Sequence, residues 1–295
     1  MRKVISFILT SCLMCMVLVI FCGCSTKEWY IYENFESFLK GSASIDLEEI
    51  KAIDIDWVSG DVTVEVVDES DCIVIEETSR YKIFEDEELR YNLNDEGVLT
   101  IKFRASSAKK VFLTKEKSLH IKLPRSKSIT GNLVINSVSA DVYVNRAEPS
   151  RISVTNVSGE TTIINSKSSI AEITSVSGAI KLKNSSLYSL VVSATSGNVE
   201  AQDLTSEVIG LKTVSGNIDA NIATTPISIN AESVSADINM RMNNEKGFTA
   251  VFESSSGEFS CGFETRLVDN KYVYLDGVYA YNFETVSGNV SIQKN

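Results

Sequence analysis

The chain has 295 residues, 43% of them hydrophobic, with only 3 prolines and a net charge of −11. That composition supplies a substantial core and excludes a disordered chain, and the scarcity of proline argues against a string of linked modules. A surface this acidic repels phosphate backbones and anionic headgroups, so no nucleic acid is expected as a partner, and a hold on a membrane has to be covalent.

Arg2 and Lys3 precede an apolar run from Val4 to Phe21. This is the layout of a secretory signal peptide, although the run is also long enough for an uncleaved transmembrane span. Phe21-Cys22-Gly23-Cys24-Ser25 favours the first reading. It resembles a bacterial lipobox, in which a small residue precedes a cysteine that is acylated and becomes N-terminal. Gly23 and Cys24 fit; Phe21 and Cys22 depart from the usual leucine and small residue. Residues 1–23 are therefore expected to be a lipoprotein signal peptide and Cys24 the lipidation site, with the protein lipid-anchored on the extracytoplasmic face of the bacterial cell membrane. Losing residues 1–23, which hold Arg2 and Lys3 and no acid, would take the charge from −11 to −13. Residues 24–45 are expected to form a tether with a short helix from Asn34 to Leu39, and residues 46–295 a single folded domain.

Cys12, Cys15 and Cys22 fall in the segment removed, leaving Cys72 and Cys261 in the domain. With no C-x-x-C and no His/Cys cluster, neither a zinc site nor a disulfide framework is indicated, and two buried free thiols are expected.

A Val-Ser-Gly tripeptide, or a close variant, recurs with its serine at 59, 139, 158, 177, 196, 215, 235, 256 and 287. After a first gap of 80 the steps are 19, 19, 19, 19, 20, 21 and 31. Six and four residues before the serine stand pairs such as Ile152/Val154, Leu190/Val192 and Ile209/Leu211; three and five after it stand Ile180/Leu182 and Val199/Ala201. Period-2 alternation on both sides of a glycine reads as strand, turn, strand with one face buried. A unit so short cannot bury its apolar row alone, so successive units must stack in parallel. The expected fold is all-β: a single-chain parallel β-solenoid with coils of 19–21 residues. Glycine at the corner is expected to serve a positive φ, and its replacement by small Ala140 and Ala236 points to crowding between coils as well. Ser before the glycine and Asp, Asn or Glu after it are expected to form a ladder along the edge, and Leu187, Leu204 and Ile222 a short third side.

Residues 65 to 132 interrupt the repeat but still read as β: Cys72 to Glu77, Leu89 to Leu93, a turn at Asp95-Glu96-Gly97, Val98 to Arg104, and Leu119 to Leu123. An irregular N-terminal rung and cap is expected there. The 31-residue step near the end holds Tyr272, Tyr274, Tyr279 and Tyr281 around Asp276-Gly277, expected to be a hairpin insertion that protrudes or caps the other end.

The Ser-Gly-Asp/Asn corners, His120-Ile121-Lys122-Leu123-Pro124 and the terminal Val286-Ser287-Gly288-Asn289-Val290 resemble the toast-rack, or putative-adhesin, family of bacterial β-strand-repeat proteins. The resemblance covers residues 46 to 295. It implies a cell-envelope protein of a family without an established function, some of whose members are thought to sit near envelope-stress signalling genes, and it supplies no catalytic or binding residue to carry over.

Chemistry is sparse. His120 is the sole histidine and has no nucleophile and third group beside it in sequence, so a surface strand residue is expected. Serines repeated at every corner mark architecture, whereas a catalytic serine would be singular. Glu85-Asp86-Glu87-Glu88 lacks the spacing of a β-solenoid calcium site and reads as a solvated loop. No cofactor, metal or catalytic residue is expected. Tyr272, Tyr274 and Tyr279 are the candidate binding surface, for an envelope protein or a glycan, with capping as the competing role. The function expected is a non-catalytic adhesin-like or scaffold module. A stress-sensing lipoprotein acting through a membrane partner is the alternative, and a polysaccharide-acting β-helix enzyme is less favoured, because the outward positions are mostly Ser, Thr, Asn and single charges.

Overall fold

A computed structural model describes residues 32–46, 50–68, 70–106, 116–125, 129–243 and 245–295. Among the described residues every element apart from one 3-10 turn at Phe35–Ser37 is a strand, and these strands join in one 24-stranded sheet. The fold is the expected β-solenoid. Arg151–Asn156, Lys167–Ser175, Ser186–Ala194, Val208–Thr213 and Ser228–Ser233 stack in parallel as one side. Thr161–Ile164, Ile180–Lys183, Val199–Leu204, Ile218–Ile222 and Ile238–Met242 stack as the other. The alternation sets what is inside. Val154, Ile173, Val192 and Leu211 pair in one inward column, each at most 2% exposed, while outward Val191 is 42% exposed. Each such aliphatic side chain contributes about 1.5–3 kcal/mol by leaving water. Leu187, Leu204 and Ile222 are buried, as expected of a third side.

The corner carries the expected ladder. In the regular coils the motif serine donates its hydroxyl to a carbonyl of the rung before: Ser158 to Val138, Ser177 to Val157 and Ser196 to Val176, all at 3.2 Å. One step on, the side-chain oxygen of Asp141 accepts the N–H of Glu160 at 2.8 Å and that of Asn198 the N–H of Asn217 at 3.0 Å. The role expected of the glycine is corrected, because among the motif glycines only Gly60 has a positive φ, 98°. Crowding is the cause: a Cβ on Gly178 would lie 1.8 Å from the carbonyl oxygen of Gly159. The left-handed residues sit at the opposite corner instead, at Arg146, Asn165, Asn184 and Asp203, with φ of 59°, 52°, 47° and 51°. Asn and Asp tolerate that region best among side-chain-bearing residues.

Neither end follows chain order. The first motif strand, Ala52–Val67, lies between Asn132–Asn145 on one side and Val98–Lys102 and Lys117–Pro124 on the other, pairing Ser59 with Ser139 across the gap of 80. The outermost N-terminal layers are antiparallel: Cys72–Thr78 on Lys117–Pro124 and Arg90–Leu93 on Val98–Lys102, then Ala43–Asp46 and Leu39–Lys40. The expected helix from Asn34 to Leu39 is thus only the turn at Phe35–Ser37, and the paired strands at Leu39–Lys40 and Ala43–Asp46 extend the folded cap upstream of residue 46. At the other end the last coil in sequence, Tyr279–Thr285 and Val290–Lys294, inserts between Ser228–Met242 and the strands Phe248–Ser254 and Phe259–Cys261. Cys72 and Cys261 are free, half-buried rather than fully buried, and lie in opposite caps.

Candidate functional site

The three candidate tyrosines lie in the C-terminal cap. Phe248–Ser254, the outermost parallel strand, has Tyr279–Thr285 on its inner side and Lys271–Tyr274, antiparallel, on its outer side. Lys271–Tyr274 in turn pairs with Arg266–Val268. Tyr272, Tyr274 and Tyr279 are half-buried and pack against the core. The Tyr272 ring centroid is 4.4 Å from that of Phe259, and Tyr274 is 5.4 Å from Phe248 and 4.9 Å from Phe263. Tyr281, fully buried, stacks on Phe248 at 4.8 Å and donates its hydroxyl to the Pro226 carbonyl at 3.0 Å. These rings close the solenoid end as an aromatic plug. The hairpin turn is Asp269-Asn270, both at positive φ (47° and 60°), as a two-residue turn of a twisted hairpin requires. Asp276-Gly277, expected to be that turn, instead carries the chain around the end of Phe248–Ser254 from its outer to its inner side.

On this plug the cap presents a different surface. All three residues of Arg266–Val268 are exposed, and the strand's other edge has no strand partner among the described residues. Leu267 (65%), Leu275 (57%) and Val278 (69%) are open to solvent beside it. Leu275 adopts φ 50°, a left-handed conformation uncommon for a bulky residue. The candidate surface is therefore this aliphatic edge, with the tyrosines as its inner support.

The other singled-out residues are structural. His120 points outward and its Nε2 lies 2.7 Å from Glu65 Oε1, with Glu76 opposite on the neighbouring strand. Glu85 pairs with Lys40, which holds its carboxyl below the usual range, and Glu87 accepts the N–H of Phe84 at 3.0 Å. Among the described residues no three metal-ligating side chains gather. Cys24 lies outside the described residues.

One constellation was missed from sequence. Lys117, 2% exposed, sits in the N-terminal cap 2.6 Å from the Glu77 carboxylate and donates to the carbonyls of Glu87 and Phe103. Its ammonium lies 4.1 Å from the Phe103 ring centroid and 5.2 Å from that of Trp57, whose indole donates to the Lys117 carbonyl at 3.0 Å. Burial pushes the lysine's pKa down, against the pull of Glu77. Parity held the signal: Glu77 continues the inward series Ile73-Ile75, and Lys117 begins the inward series Leu119-Ile121-Leu123.

A family model described as Toastrack DUF4097 matches residues 50–293. No curated protein matches the chain. Among solved structures, a putative adhesin from Bacteroides fragilis is similar at 13% identity and a TM-score of 0.50, over 86% of this chain and 96% of that one. A putative cell adhesion protein from Clostridium sporogenes is similar at 11% identity and a TM-score of 0.32, over 88% of this chain and 100% of that one.

Proposed function

The chain belongs to the Toastrack family, and from that premise we propose that it is a non-catalytic interaction module of the bacterial cell envelope. A lipid on Cys24 holds it to the extracytoplasmic face of the membrane, and the far end of the rod engages an extended segment of an envelope protein. The observation that carries this reading is the unpaired, aliphatic Arg266–Val268 edge at the end opposite the one where the described chain begins. An exposed edge strand is a ready template for strand addition: main-chain hydrogen bonds hold the guest and alternate side chains select it. Tyr32, hydrogen-bonded to Arg104 and Ser106, ties the described N-terminus into the opposite cap, so an anchor there leaves this edge facing away. The serines of the regular coils support the absence of catalysis, since their corner hydroxyls are spent on the preceding rung. The adhesin description of the Bacteroides fragilis protein agrees with such a role.

The test places a photo-crosslinking residue at Val268 or at Val191 of the full chain in its native membrane. A discrete adduct from Val268, absent from Val191 and lost in Leu267→Lys, is expected. Leu267→Lys should leave stability within about 0.5 kcal/mol. Equal labelling from both positions would dismiss the edge as the contact. Fatty-acid labelling that persists in Cys24→Ala would dismiss the anchor.

A further inference from the structure

A second feature lies on the flank of the rod near the N-terminal cap. The regular coils are closed along their short third side by buried Leu187, Leu204 and Ile222. Beside the rungs made by Ala52–Val67, Lys117–Pro124 and Asn132–Asn145 a cleft of about 610 Å³ opens. That volume lies within the range of about 300–1,000 Å³ found for ligand sites. Its walls include the aliphatic side chains of Leu123, Ile129 and Leu133, at most 4% exposed in the structure, and its polar lining includes Arg125, Arg146 and Lys167. Among the described residues none of its lining is aromatic.

Arg146 is the informative residue. It occupies the left-handed corner that successive coils fill with Asn165, Asn184 and Asp203. Arginine has no backbone reason to stand there, and a conformational outlier is a pointer to function. Its two terminal nitrogens contact the Asp68 carboxylate at 2.9–3.1 Å, and Arg125 reaches the same carboxylate at 2.9 Å. The two guanidiniums hold the Asp68 carboxyl below its ordinary range. Asp68 thus displays what this pair recognises, because a guanidinium's planar fork matches a carboxylate. Lys167, on the same rim, has only a 3.4 Å contact to Glu148.

We propose that this cleft binds an aliphatic carboxylate, its acid group against Arg125, Arg146 and Lys167 and its hydrocarbon on the Leu123, Ile129 and Leu133 wall. The C-terminal residue of a peptide and a free branched-chain acid share that chemistry. The site is remote from the Arg266–Val268 edge, so it stands or falls separately from the edge's partner.

The probes are N-acetyl-Ala-Ala-Leu with a free carboxylate, its C-terminal amide, 4-methylpentanoate and polygalacturonate, titrated calorimetrically into the full-length protein in detergent. The free-acid tripeptide is expected to bind at least tenfold more tightly than the amide, a difference of about 1.4 kcal/mol. Comparable binding of 4-methylpentanoate supports a free acid as the source, and tighter tripeptide binding supports a chain end. Arg146→Asn suits the left-handed corner, so its melting temperature should hold or rise while acid binding falls at least tenfold. Equal affinity for acid and amide, undiminished binding by Arg146→Asn, preference for polygalacturonate, or no binding at millimolar probe would each overturn the assignment.

Discussion

The two ends of the rod face one problem and answer it with different chemistry. At both, a rung out of chain order must be locked against the stack and covered. The N-terminal cap uses a buried ion pair, Lys117 with Glu77, roofed by Trp57 and Phe103, and finishes in short strands of two and four residues. The C-terminal cap uses rings, Phe248, Phe259, Phe263, Tyr272, Tyr274 and Tyr281, and finishes in an exposed aliphatic strand. A buried charge pair tolerates almost no displacement, because losing one partner strands the other. Ring packing is less directional and leaves its outermost strand free to pair. The first end is locked by charge and the second by ring packing.

The largest test of that contrast is Lys117→Met. It strands Glu77 in the cap and should cost about 3–5 kcal/mol in denaturant unfolding, whereas Lys117→Met with Glu77→Leu should be close to wild type. Equal losses in the single and double variants would show that the charges are incidental. A pH series sharpens the point. The Lys117 pKa is lowered from its ordinary 10.5, chiefly by burial. Between the lowered value and 10.5 the unfolded chain holds the proton that the folded chain has lost, so this lysine's contribution makes stability rise with pH across that window; below it the penalty is full. Wild type should therefore gain on the double variant as pH climbs toward 10.5, and a relative loss would reverse the assignment. The smallest effect belongs to the other cap. Tyr281→Phe removes one buried hydrogen bond to Pro226 and should lower stability by about 1 kcal/mol. A loss as large as that of Lys117→Met would mean the aromatic end depends on polar bonds too.

What the sequence revealed divides along the same line. In the regular coils the partner lies 19 or 20 positions away, Leu204 with Ile222 across a bulge excepted, so local alternation and one motif were enough to fix strands, faces and the Val154-Ile173-Val192-Leu211 column. At the caps the separations are irregular, from hairpin neighbours such as Val268 and Lys271 to Ile53 and Leu133 across the gap of 80, and periodicity says nothing about them. Asp276-Gly277 carried the stronger turn signal than Asp269-Asn270, yet its glycine, at φ 70°, serves the crossing around a strand end. The corner glycines were legible in part: small Ala140 and Ala236 pointed to the crowding, while the positive φ expected with it holds only at Gly60. Close approach between backbones and positive φ both select glycine, and only coordinates separate a Cβ that would strike the carbonyl one rung below from one that would strain its own residue. The edge at Leu267 and Val268 read as part of a tyrosine-rich insertion because aromatics draw attention, whereas the exposed aliphatics were decided by tertiary placement.

The wedged last coil has a consequence for how the molecule is made. A chain emerging from its N-terminus can lay down Arg151 to Met242 rung upon rung, each new strand finding its neighbour already in place. Phe248–Cys261 cannot be laid down that way, since its seat is occupied only when residues 279–294 arrive. Closure of the far end therefore awaits residues 279–294, and contacts across a long loop slow that step. Lengthening obeys the same constraint: coils can be inserted or lost between Arg151 and Met242 in units of one repeat, whereas the wedged coil at residues 279–294 has neighbours on both sides.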